Sequence, residues 1–358
     1  MLLLFRERAR MTAAATRSPP AAAEEGPPRD EEALEERLSR PPSWLALPEG
    51  DVLVLGVGGK MGPTLARMAR RADPSRRVIG VARFSEPGLR ERLEAWGIET
   101  IAADLLDEGA VARLPEAANV VFMAGRKFGS SGAEHLTWAM NAVLPARVAE
   151  RFRASRIVVF STGCVYPFVA VASGGATEET PPCPPPGDYA WSCVARERAF
   201  EHASHRFGTR TVALRLNYAI DLRYGVLCDV ARRVLAGEPI DLATGHVNVI
   251  WQGDANAWAL GALSLASAPM AVLNVTGPET VSVRWLAEEF GRRLGRRPCF
   301  VGAEAETAWL SNAARAFARF GYPSVPLATL IDWVASWLTA GGRLLDKPTH
   351  YDVRDGRF

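Results

Sequence analysis

DVLVLGVGGKMGPTLARMARR, residues 51–71, decides the fold of this chain of 358 residues. It opens with a short apolar run, 52–55, which is typical of a strand buried on both faces of a parallel sheet. Glycines then recur at a spacing of three, at Gly56, Gly59 and Gly62. Beyond them, apolar residues fall on one helical face, at Leu65, Met68 and Ala69. The stretch predicts a strand, a tight turn and a helix.

This turn suits a bound pyrophosphate. Glycines let the backbone turn sharply and approach a ligand, and the free N–H groups of a helix N-terminus face its negative charge. Pro63, in the first helical turn, costs no hydrogen bond. We therefore expect a dinucleotide cofactor to contact Gly56, Gly59, Lys60, Met61 and Gly62. Because the chain has 31 glycines, an ordinary strand-to-helix turn remains an alternative.

The composition excludes several classes of protein. With 48% hydrophobic and 23% charged residues the chain is typical of a globular protein. Its 42 basic and 40 acidic residues give no reason to expect a nucleic acid or membrane partner. Five cysteines without a CxxC pair indicate neither a disulfide framework nor a zinc site, and favour a reducing, cytoplasmic location. The opening MLLLF is too short for a signal peptide or a membrane span.

Strand and helix patterns alternate over the first two thirds of the chain. After the glycine turn, strands are predicted at 78–82, 98–102, 119–123, 157–160 and 211–216, and helices at 86–96, about 133–153 and 188–207. Asp188 is the expected cap of the last helix. This alternation predicts βαβ units and a Rossmann-type, doubly wound parallel sheet of the α/β class. Beyond 216 the alternation fails, which predicts a smaller mixed α/β C-terminal lobe that covers the substrate.

Other motifs follow the glycine turn in a fixed order. They are ADLLD at 103–107, Asn141, STGCVYP at 161–167, YAWSC at 189–193 and NVTGPETVSV at 274–283. With GVGGKMG at 56–62, the chain resembles an extended short-chain dehydrogenase/reductase of the NAD-dependent epimerase/dehydratase family over roughly 51–341. The resemblance implies NAD or NADP as the cofactor, a sugar-like small-molecule substrate and, by analogy, a homodimer.

We expect four parts along the chain. Residues 1–49 lack periodicity and predict a disordered N-terminal extension with one short helix at 30–38. The NAD(P)-binding Rossmann domain is expected over 50–216 and the substrate-binding lobe, interleaved with it, over 217–341. The C-terminal tail, 342–358, has no motif tied to chemistry, and either folding back on the body or pairing in an oligomer is compatible with it.

The resemblance also assigns residues to the cofactor. Asp104 and Leu105, after the third strand, match the adenine contacts of the family, whereas a helix-capping Asp is the alternative for Asp104. Ala124 and Gly125 match small residues beside the nicotinamide ribose. Asn141 matches an inward-facing Asn that helps to shape the cofactor site, although a solvated Asn inside a helix is the alternative.

The end of the second strand bears on the choice of cofactor. It lacks the acidic residue that holds a ribose 2′-hydroxyl in NAD-preferring relatives, and reads Ala82-Arg83-Phe84-Ser85. Arg83 offers two hydrogen bonds to a 2′-phosphate. We therefore favour NADP over NAD, with a plain surface role for Arg83 as the alternative.

The expected catalytic residues are Thr162, Tyr189 and Cys193. Tyr189 matches the acid-base of the family, and Thr162 matches the hydroxyl that bonds the same substrate oxygen. Cys193 stands where the family has a Lys, and a thiol cannot lower a phenol pKa by Coulomb attraction. Either another cation replaces it, with Arg196, Arg198 and Lys127 as candidates, or the usual proton transfer is lost. A nucleophilic role for Cys193 is a further option, against ordinary packing.

Two differences from the family pattern limit the reactions and substrates that we expect. Gly163-Cys164 replaces the Asp-Glu pair with which dehydratases of the family remove water, so elimination is disfavoured. The stretch 247–254, VNVIWQGD, lacks the Arg that meets a nucleotide diphosphate, so a nucleotide sugar is not supported. We expect an NAD(P)-dependent epimerase or oxidoreductase that acts on a hydroxyl or ketone of a sugar-like molecule. The alternative is an NAD(P)-binding sensor, scaffold or non-redox enzyme that has lost hydride chemistry through Cys193.

Overall fold

A computed structural model describes residues 26–127, 132–345, 347 and 349–356 of the chain. The helices there are α1 (Glu31–Leu38), α2 (Gly62–Ala72), α3 (Leu89–Ala95), α4 (Glu134–Trp138), α5 (Leu144–Arg151), α6 (Asp188–Phe207), α7 (Val226–Ala236), α8 (Gln252–Gly261), α9 (Val283–Leu294), α10 (Ala314–Phe320) and α11 (Leu327–Thr339). A π-helical segment, Ala139–Val143, joins α4 to α5. The strands are β1 (Val52–Leu55), β2 (Val78–Ala82), β3 (Glu99–Ala102), β4 (Asn119–Phe122), β5 (Arg156–Thr162), β6 (Val169–Ala170), β7 (Arg210–Leu216), β8 (Ala219–Ile220), β9 (Pro239–Asp241), β10 (His246–Val247), β11 (Ile250–Trp251), β12 (Ala271–Val275), β13 (Val281–Ser282), β14 (Cys299–Val301) and β15 (Thr307–Ala308).

A seven-stranded sheet forms the centre of the molecule, in the order β12-β7-β5-β4-β1-β2-β3. Every neighbouring pair in it is parallel. The chain runs outward from β1 through β2 to β3, and then from β4 through β5 to β7 on the other side. This confirms the predicted doubly wound Rossmann-type fold. The strand order reverses between β1 and β4, and ligands of such sheets bind in the crevice at the carboxyl ends of those strands.

Apolar residues on both faces of the sheet explain why these strands are central. All four residues of β1 are buried, as are all four of β4. On one face, α2 packs its Leu65 and Met68 into a core that also contains Val52 and Val54. On the other face, Leu53 and Leu55 join the core formed with α5 and α6. The sheet is therefore covered on both sides, as its continuous apolar strands require.

The start of α6 corrects one prediction. The helix spans the predicted residues, but Gly187 is its N-cap and no side chain caps it. Asp188 lies inside the first turn, where its carboxylate accepts a hydrogen bond from Trp138 Nε1 at 2.7 Å. Asp188 therefore links α6 to α4 and does not cap its own helix.

A second core lies beneath the C-terminal lobe, between α7, α9 and α11. Leu34 and Leu38 of α1 are fully buried in this core. Glu36 of the same helix pairs with Arg67 and Arg71 of α2. The short helix predicted at 30–38 is therefore confirmed as α1, whereas the disorder predicted for residues 39–49 is wrong, because Leu45 there is buried in the core. Residues 1–25, where disorder is also predicted, lie outside the described residues.

The C-terminal tail folds back on the body. Tyr351 is 1% exposed, and Asp352 pairs with Arg233 of α7 at 3.0 Å. Gly356 lies so close to Gly187, before α6, that a Cβ on Gly187 would be 2.6 Å from the Gly356 carbonyl oxygen. The tail thus runs from α7 to the first turn of α6. None of the helices in the described part of the chain combines the length and apolar character needed to cross a bilayer.

Candidate functional site

The glycine turn between β1 and α2 is shaped by close approaches of the backbone. Gly56 has φ +88°, and a Cβ there would lie 2.6 Å from the Ala124 amide nitrogen. A Cβ on Gly62 would overlap the Val57 carbonyl group. At Gly59 the nearest atom to an added Cβ is 3.5 Å away. Gly56 and Gly62 are therefore needed by the fold itself, whereas Gly59 leaves space above the turn.

The first turn of α2 is suited to hold an anion. Its N-cap, Met61, makes no side-chain hydrogen bond to the helix. The first N–H groups of a helix have no partner within the helix, and they attract negative charge. The turn and the helix terminus thus fit the pyrophosphate of a dinucleotide, the ligand expected from the sequence.

Lys60 and Met61 use their side chains for packing. The Lys60 ammonium donates to the Ala219 carbonyl oxygen at 2.8 Å and lies 4.0 Å from the centroid of the Tyr224 ring. Burial lowers the pKa of Lys60 to about 8. Met61 is 8% exposed and belongs to the core around α2. Lys60 therefore fastens the glycine turn to the C-terminal lobe, and what both residues offer a phosphate is their main chain.

Arg83 and Asp104 lie at the ends of the neighbouring strands β2 and β3. An Arg83 Nη1 atom is 3.7 Å from Asp104 Oδ2, and the Arg83 side chain is 65% exposed. Asp104 Oδ1 accepts a hydrogen bond from the Leu106 N–H at 3.0 Å. Asp104 thus stabilises a local turn and faces Arg83, and among the residues that the structure describes no helix begins there that it could cap. Leu105 is buried in the core on the α5 side of the sheet.

Asn141, in the π-helical segment, is fully buried and points inward. Its Oδ1 accepts from the Arg126 N–H and from Arg196 Nη2, at 2.8 Å and 2.7 Å. Its Nδ2 donates to the Arg126 carbonyl and to Ser192 Oγ, at 2.8 Å and 3.0 Å. A solvated Asn141, the alternative from the sequence, is therefore wrong. Asn141 clamps the segment after β4 to α6.

The small residues after β4 also meet protein atoms. Ala124 contacts the glycine turn at Gly56, and a Cβ on Gly125 would be 2.6 Å from Arg196 Nη2. Their small size is thus required by the packing of the protein itself. A contact of Ala124 and Gly125 with a ribose stays a prediction.

The three expected catalytic residues come together. Thr162 ends β5, and Tyr189 and Cys193 lie on successive turns of α6. Thr162 Oγ1 accepts from the Cys164 N–H at 3.1 Å, so its own proton is available for the Tyr189 hydroxyl, with which it is hydrogen-bonded. The Tyr189 hydroxyl and the Cys193 thiol are also hydrogen-bonded. The catalytic roles of these three residues stay predictions.

The surroundings of Tyr189 favour the neutral phenol. Burial raises the pKa of Tyr189 well above its usual value, and the thiols of Cys193 and Cys164 raise it further. Arg196 and the hydrogen bond from Thr162 act in the opposite direction. Burial also raises the pKa of both thiols. Cys193 is therefore a neutral packing group, which speaks against a nucleophilic role.

The three candidate cations differ in position. Arg198 is 60% exposed and pairs with Glu201, so it points away from the site. Arg196 is buried and donates to the Phe160 carbonyl and to Asn141 Oδ1, both at 2.7 Å. The Lys127 ammonium donates to the Thr349 carbonyl at 2.8 Å and lies 5.8 Å from the centroid of the Tyr189 ring. Of the three candidate cations, Arg196 and Lys127 thus lie near Tyr189, and Arg198 does not.

A buried network fixes α6 behind these residues. Glu197 accepts from Arg215 Nε and Nη2, at 3.1 Å and 2.8 Å, and from the Ser161 hydroxyl. Arg215 also donates to the Tyr166 hydroxyl at 2.9 Å. Because these residues join β5, α6 and β7, they set the rotation of α6 and with it the direction of Tyr189.

The site also includes residues that the sequence analysis did not single out. Tyr218 has φ +45° and lies within electrostatic range of Cys164, Tyr224, Tyr351 and Asp352. Burial raises the pKa of Tyr218 well above its usual value. The only signal in the sequence was the tyrosines that follow the sixth predicted strand, in NYAIDLRY at 217–224. The tail contributes because it crosses from α7 to α6, which no local pattern predicts.

The sequence and the fold were compared with known proteins. A sequence model of the NAD-dependent epimerase/dehydratase family matches residues 52–249. A search of curated protein sequences finds no match. The fold is similar to that of a Thermus thermophilus UDP-glucose 4-epimerase in complex with NAD, at 21% identity and a TM-score of 0.66 over 80% of this chain and 98% of that one.

Two further solved structures are similar to the same extent. A Bacillus cereus UDP-glucuronic acid 4-epimerase, in complex with UDP-glucuronic acid and NAD, is 16% identical with a TM-score of 0.67 over 81% of this chain and 99% of that one. The Bordetella bronchiseptica enzyme WbmG, in complex with NAD and UDP, is 18% identical with a TM-score of 0.68 over 84% and 99% of the two chains. At such identities the likeness extends to the fold.

Proposed function

The chain belongs to the NAD-dependent epimerase/dehydratase family of enzymes, and we propose that it is an NAD(P)-dependent epimerase or oxidoreductase acting on a hydroxyl or ketone of a sugar-like small molecule. One observation carries the proposal: Thr162 and Tyr189 are hydrogen-bonded to each other at the carboxyl end of β5. This is the edge of the sheet where the glycine turn leaves β1, and hence where a cofactor and a substrate would meet.

In the proposed mechanism, the residues of this chain hold the substrate oxygen and move its proton. As the phenolate, Tyr189 Oη accepts the proton of the substrate hydroxyl when that carbon is oxidised, and as the neutral phenol it returns the proton when the ketone is reduced. Thr162 donates a hydrogen bond to the same oxygen. A cofactor held at the glycine turn would supply the nicotinamide for hydride transfer to and from the substrate carbon.

The glycine turn would hold the cofactor. Open space at Gly59 and the uncapped N-terminus of α2 fit a pyrophosphate held by main-chain amides. The related structures contain NAD, and the preference for NADP expected from Arg83 gains no support from them. Arg83 is nevertheless exposed beside Asp104, and the relative affinities for NADP and NAD test whether it binds a 2′-phosphate.

The substrate class is proposed from the same comparison. The related enzymes bind UDP-sugars or UDP, which supports a sugar-like substrate here. The stretch 247–254 of this chain, with β10 and β11, carries no Arg. We therefore propose free polyols, sugars and sugar acids first, with UDP-sugars as the comparison set.

The test is turnover of such a panel with NAD and NADP, followed by nicotinamide absorbance and by the stereochemistry of the recovered sugar. We expect turnover by the native protein, and a loss of at least about 100-fold in Tyr189→Phe, because removal of a positioned acid-base costs that much. Thr162→Val is expected to lose activity while still binding cofactor. Cofactor binding without any turnover would overturn the proposal and favour the sensor or scaffold alternative.

A further inference from the structure

We propose that Lys127 is the charge partner of Tyr189, and that it supplies from the segment after β4 the positive charge that Cys193 does not supply on α6. This inference rests on the proposed function, because it assumes that Tyr189 is the acid-base. It makes Lys127 a positioning residue, which acts on the substrate through the phenol.

The position of the ammonium is the first argument. Lys127 Nζ lies 5.8 Å from the centroid of the Tyr189 ring, within the distance at which a cation is attracted to an aromatic ring. It is also within electrostatic range of the thiols of Cys164 and Cys193, which flank the same phenol. The side chain starts from the segment that follows β4, and β4 is the neighbour of the strand that carries Thr162. It therefore reaches Tyr189 from a different element than α6.

The tail fixes this position, which is the second argument. Lys127 Nζ donates to the Thr349 carbonyl oxygen at 2.8 Å. Thr349 is itself held on α7, because Asp229 Oδ2 accepts from its N–H at 2.8 Å and from its hydroxyl at 2.6 Å. A lysine side chain with four rotatable bonds is thus held at its ammonium end by the folded-back tail. Such fixation is what a charge needs in order to act on one partner.

The other charges around the phenol do not replace Lys127. Arg196 also lowers the pKa of Tyr189, but its own hydrogen bonds go to the Phe160 carbonyl and to Asn141, where it stabilises the contact between α6 and the segment after β4. The thiols of Cys164 and Cys193 are neutral because burial raises their pKa. Lys60 and Asp229 face Lys127 from the glycine turn and from α7. Among these groups, Lys127 is the cation that contacts the Tyr189 ring.

The chemical consequence concerns the phenolate. A nearby ammonium stabilises the charged form of a phenol and lowers its pKa, which brings the acid-base nearer to the pH at which it works. Burial opposes this at both groups, because it raises the pKa of Tyr189 and lowers the pKa of Lys127. Removal of the ammonium is therefore expected to raise the pKa of Tyr189 further, whereas a lysine introduced at 193 is expected to compensate.

The kinetic test is the pH dependence of kcat/KM for the full-length protein and four variants. Lys127→Gln is expected to lower kcat/KM at neutral pH and to move the limb that reports Tyr189 upward by about one pH unit or more. Lys127→Arg is expected to keep the native limb. The double variant Lys127→Gln/Cys193→Lys is expected to regain at least about tenfold. The matched control is Arg198→Gln, which removes an exposed charge from the same helix and should leave the profile unchanged.

A purely structural Lys127 would lower activity equally at all pH values, without moving the limb. That result, or a folded double variant with no recovery, would overturn the proposal. Melting temperature and cofactor affinity are recorded for each variant, so that a loss of fold is recognised.

A second readout does not require turnover. The chain has 6 tyrosines, and ¹³C labelling at Cζ with Tyr189→Phe for assignment reports the titration of Tyr189 in the holo-protein. We expect its midpoint to be higher in Lys127→Gln than in the native protein. Identical titration curves of Tyr189 in the native protein and in Lys127→Gln up to about pH 12 would overturn the inference, and so would the absence of titration in both proteins. Distinct midpoints in a protein without turnover would instead retain Lys127 as charge partner and reject the proposed function.

Discussion

Lys60 is a charge that the fold disfavours. Burial lowers its pKa from the usual 10.5 to about 8, so the unfolded chain binds this proton more tightly than the folded one. The cost to stability is fully present below about pH 8 and disappears as the pH rises through the unfolded value of 10.5.

Lys60→Met removes this titration while keeping the length of the side chain. We expect the free energy of unfolding of the variant, relative to the native protein, to fall steadily between about pH 8 and pH 10, because only the native protein gains stability there. Urea unfolding at several pH values measures it. A difference that stays constant over this range would contradict a buried, pKa-shifted ammonium at Lys60.

Arg83 bears on cofactor choice alone. Its guanidinium is exposed and 3.7 Å from Asp104, so it is free to turn to a 2′-phosphate, for which it offers two hydrogen bonds. We expect Arg83→Gln to weaken NADPH binding by about tenfold and to leave NADH binding within about twofold. Calorimetric titration with both cofactors measures this. Equal changes for both would show that Arg83 is a plain surface residue.

The residues of the site were only partly predictable. Thr162 and Tyr189 were found because their motifs are local, and the hydrogen bond between them follows from the order of β5 and α6. Lys127, whose ammonium lies near the Tyr189 ring, was one of three cations that the sequence offered as a replacement for the family lysine. It depends on Thr349, far along the chain, and no spacing rule connects residues brought together by a tail.

Among the elements, the glycine turn contains one glycine that the fold requires and another that is expected to matter for cofactor binding. Gly56 combines a φ of +88° with a close approach to Ala124, whereas Gly59 has space for a Cβ. Gly56→Ala is therefore expected to destabilise the protein by about 2 kcal/mol or more. Gly59→Ala is expected to change stability by less than about 1 kcal/mol while weakening NAD binding, because the Cβ occupies the space above the turn.

Urea unfolding and cofactor titration of the two glycine variants, side by side, measure this difference. The account would be contradicted if Gly59→Ala bound NAD as the native protein does. It would also be contradicted if Gly56→Ala were as stable as the native chain.

Elements were predicted well where the chain is periodic. The helix over 188–207 and the strand over 78–82 agree with α6 and β2, because Gly187 and Gly208 flank the helix and a short apolar run defines the strand. The helix expected over 133–153 is interrupted by a π-helical segment. That segment contains Asn141, whose four hydrogen bonds reach the segment after β4 and α6, and such tertiary contacts override local propensity.

At the scale of the whole molecule, both chain ends contribute to the core. The N-terminal sequence predicted one short helix in a disordered extension, but not that Leu34 and Leu38 of this helix, one turn apart, complete the lobe core. Tyr351 of the tail enters the same core. A prediction from composition averages over many residues, so it misses two or three apolar side chains that pack against distant parts of the chain. The division of the chain into four parts stays a prediction, with α1 and the tail now joined to the lobe.

An apolar surface on α4, the π-helical segment and α6 bears on assembly. It consists of Leu136, Trp138, Val143 and Trp191, between 38% and 49% exposed. Large exposed apolar patches mark interaction sites, and homodimerisation is the assembly expected from the family resemblance. We expect Val143→Glu to convert a dimer into a monomer in sedimentation experiments.

The matched control is Tyr322→Glu, which alters an apolar side chain that is 72% exposed elsewhere on the surface. It should leave the sedimentation coefficient unchanged. A native protein that is monomeric at micromolar concentration would contradict the expected dimer.

The central claim is that this chain carries out hydride chemistry although Cys193 stands in the place of the usual Lys. The most direct measurement uses a substrate identified from the panel, deuterated at the carbon to be oxidised, with rapid alkaline quenching and mass spectrometry of the recovered cofactor. The account predicts reduced cofactor that carries one deuterium in the native protein and none in Tyr189→Phe. Conversion of the substrate by the native protein without any deuterium in the cofactor would contradict it.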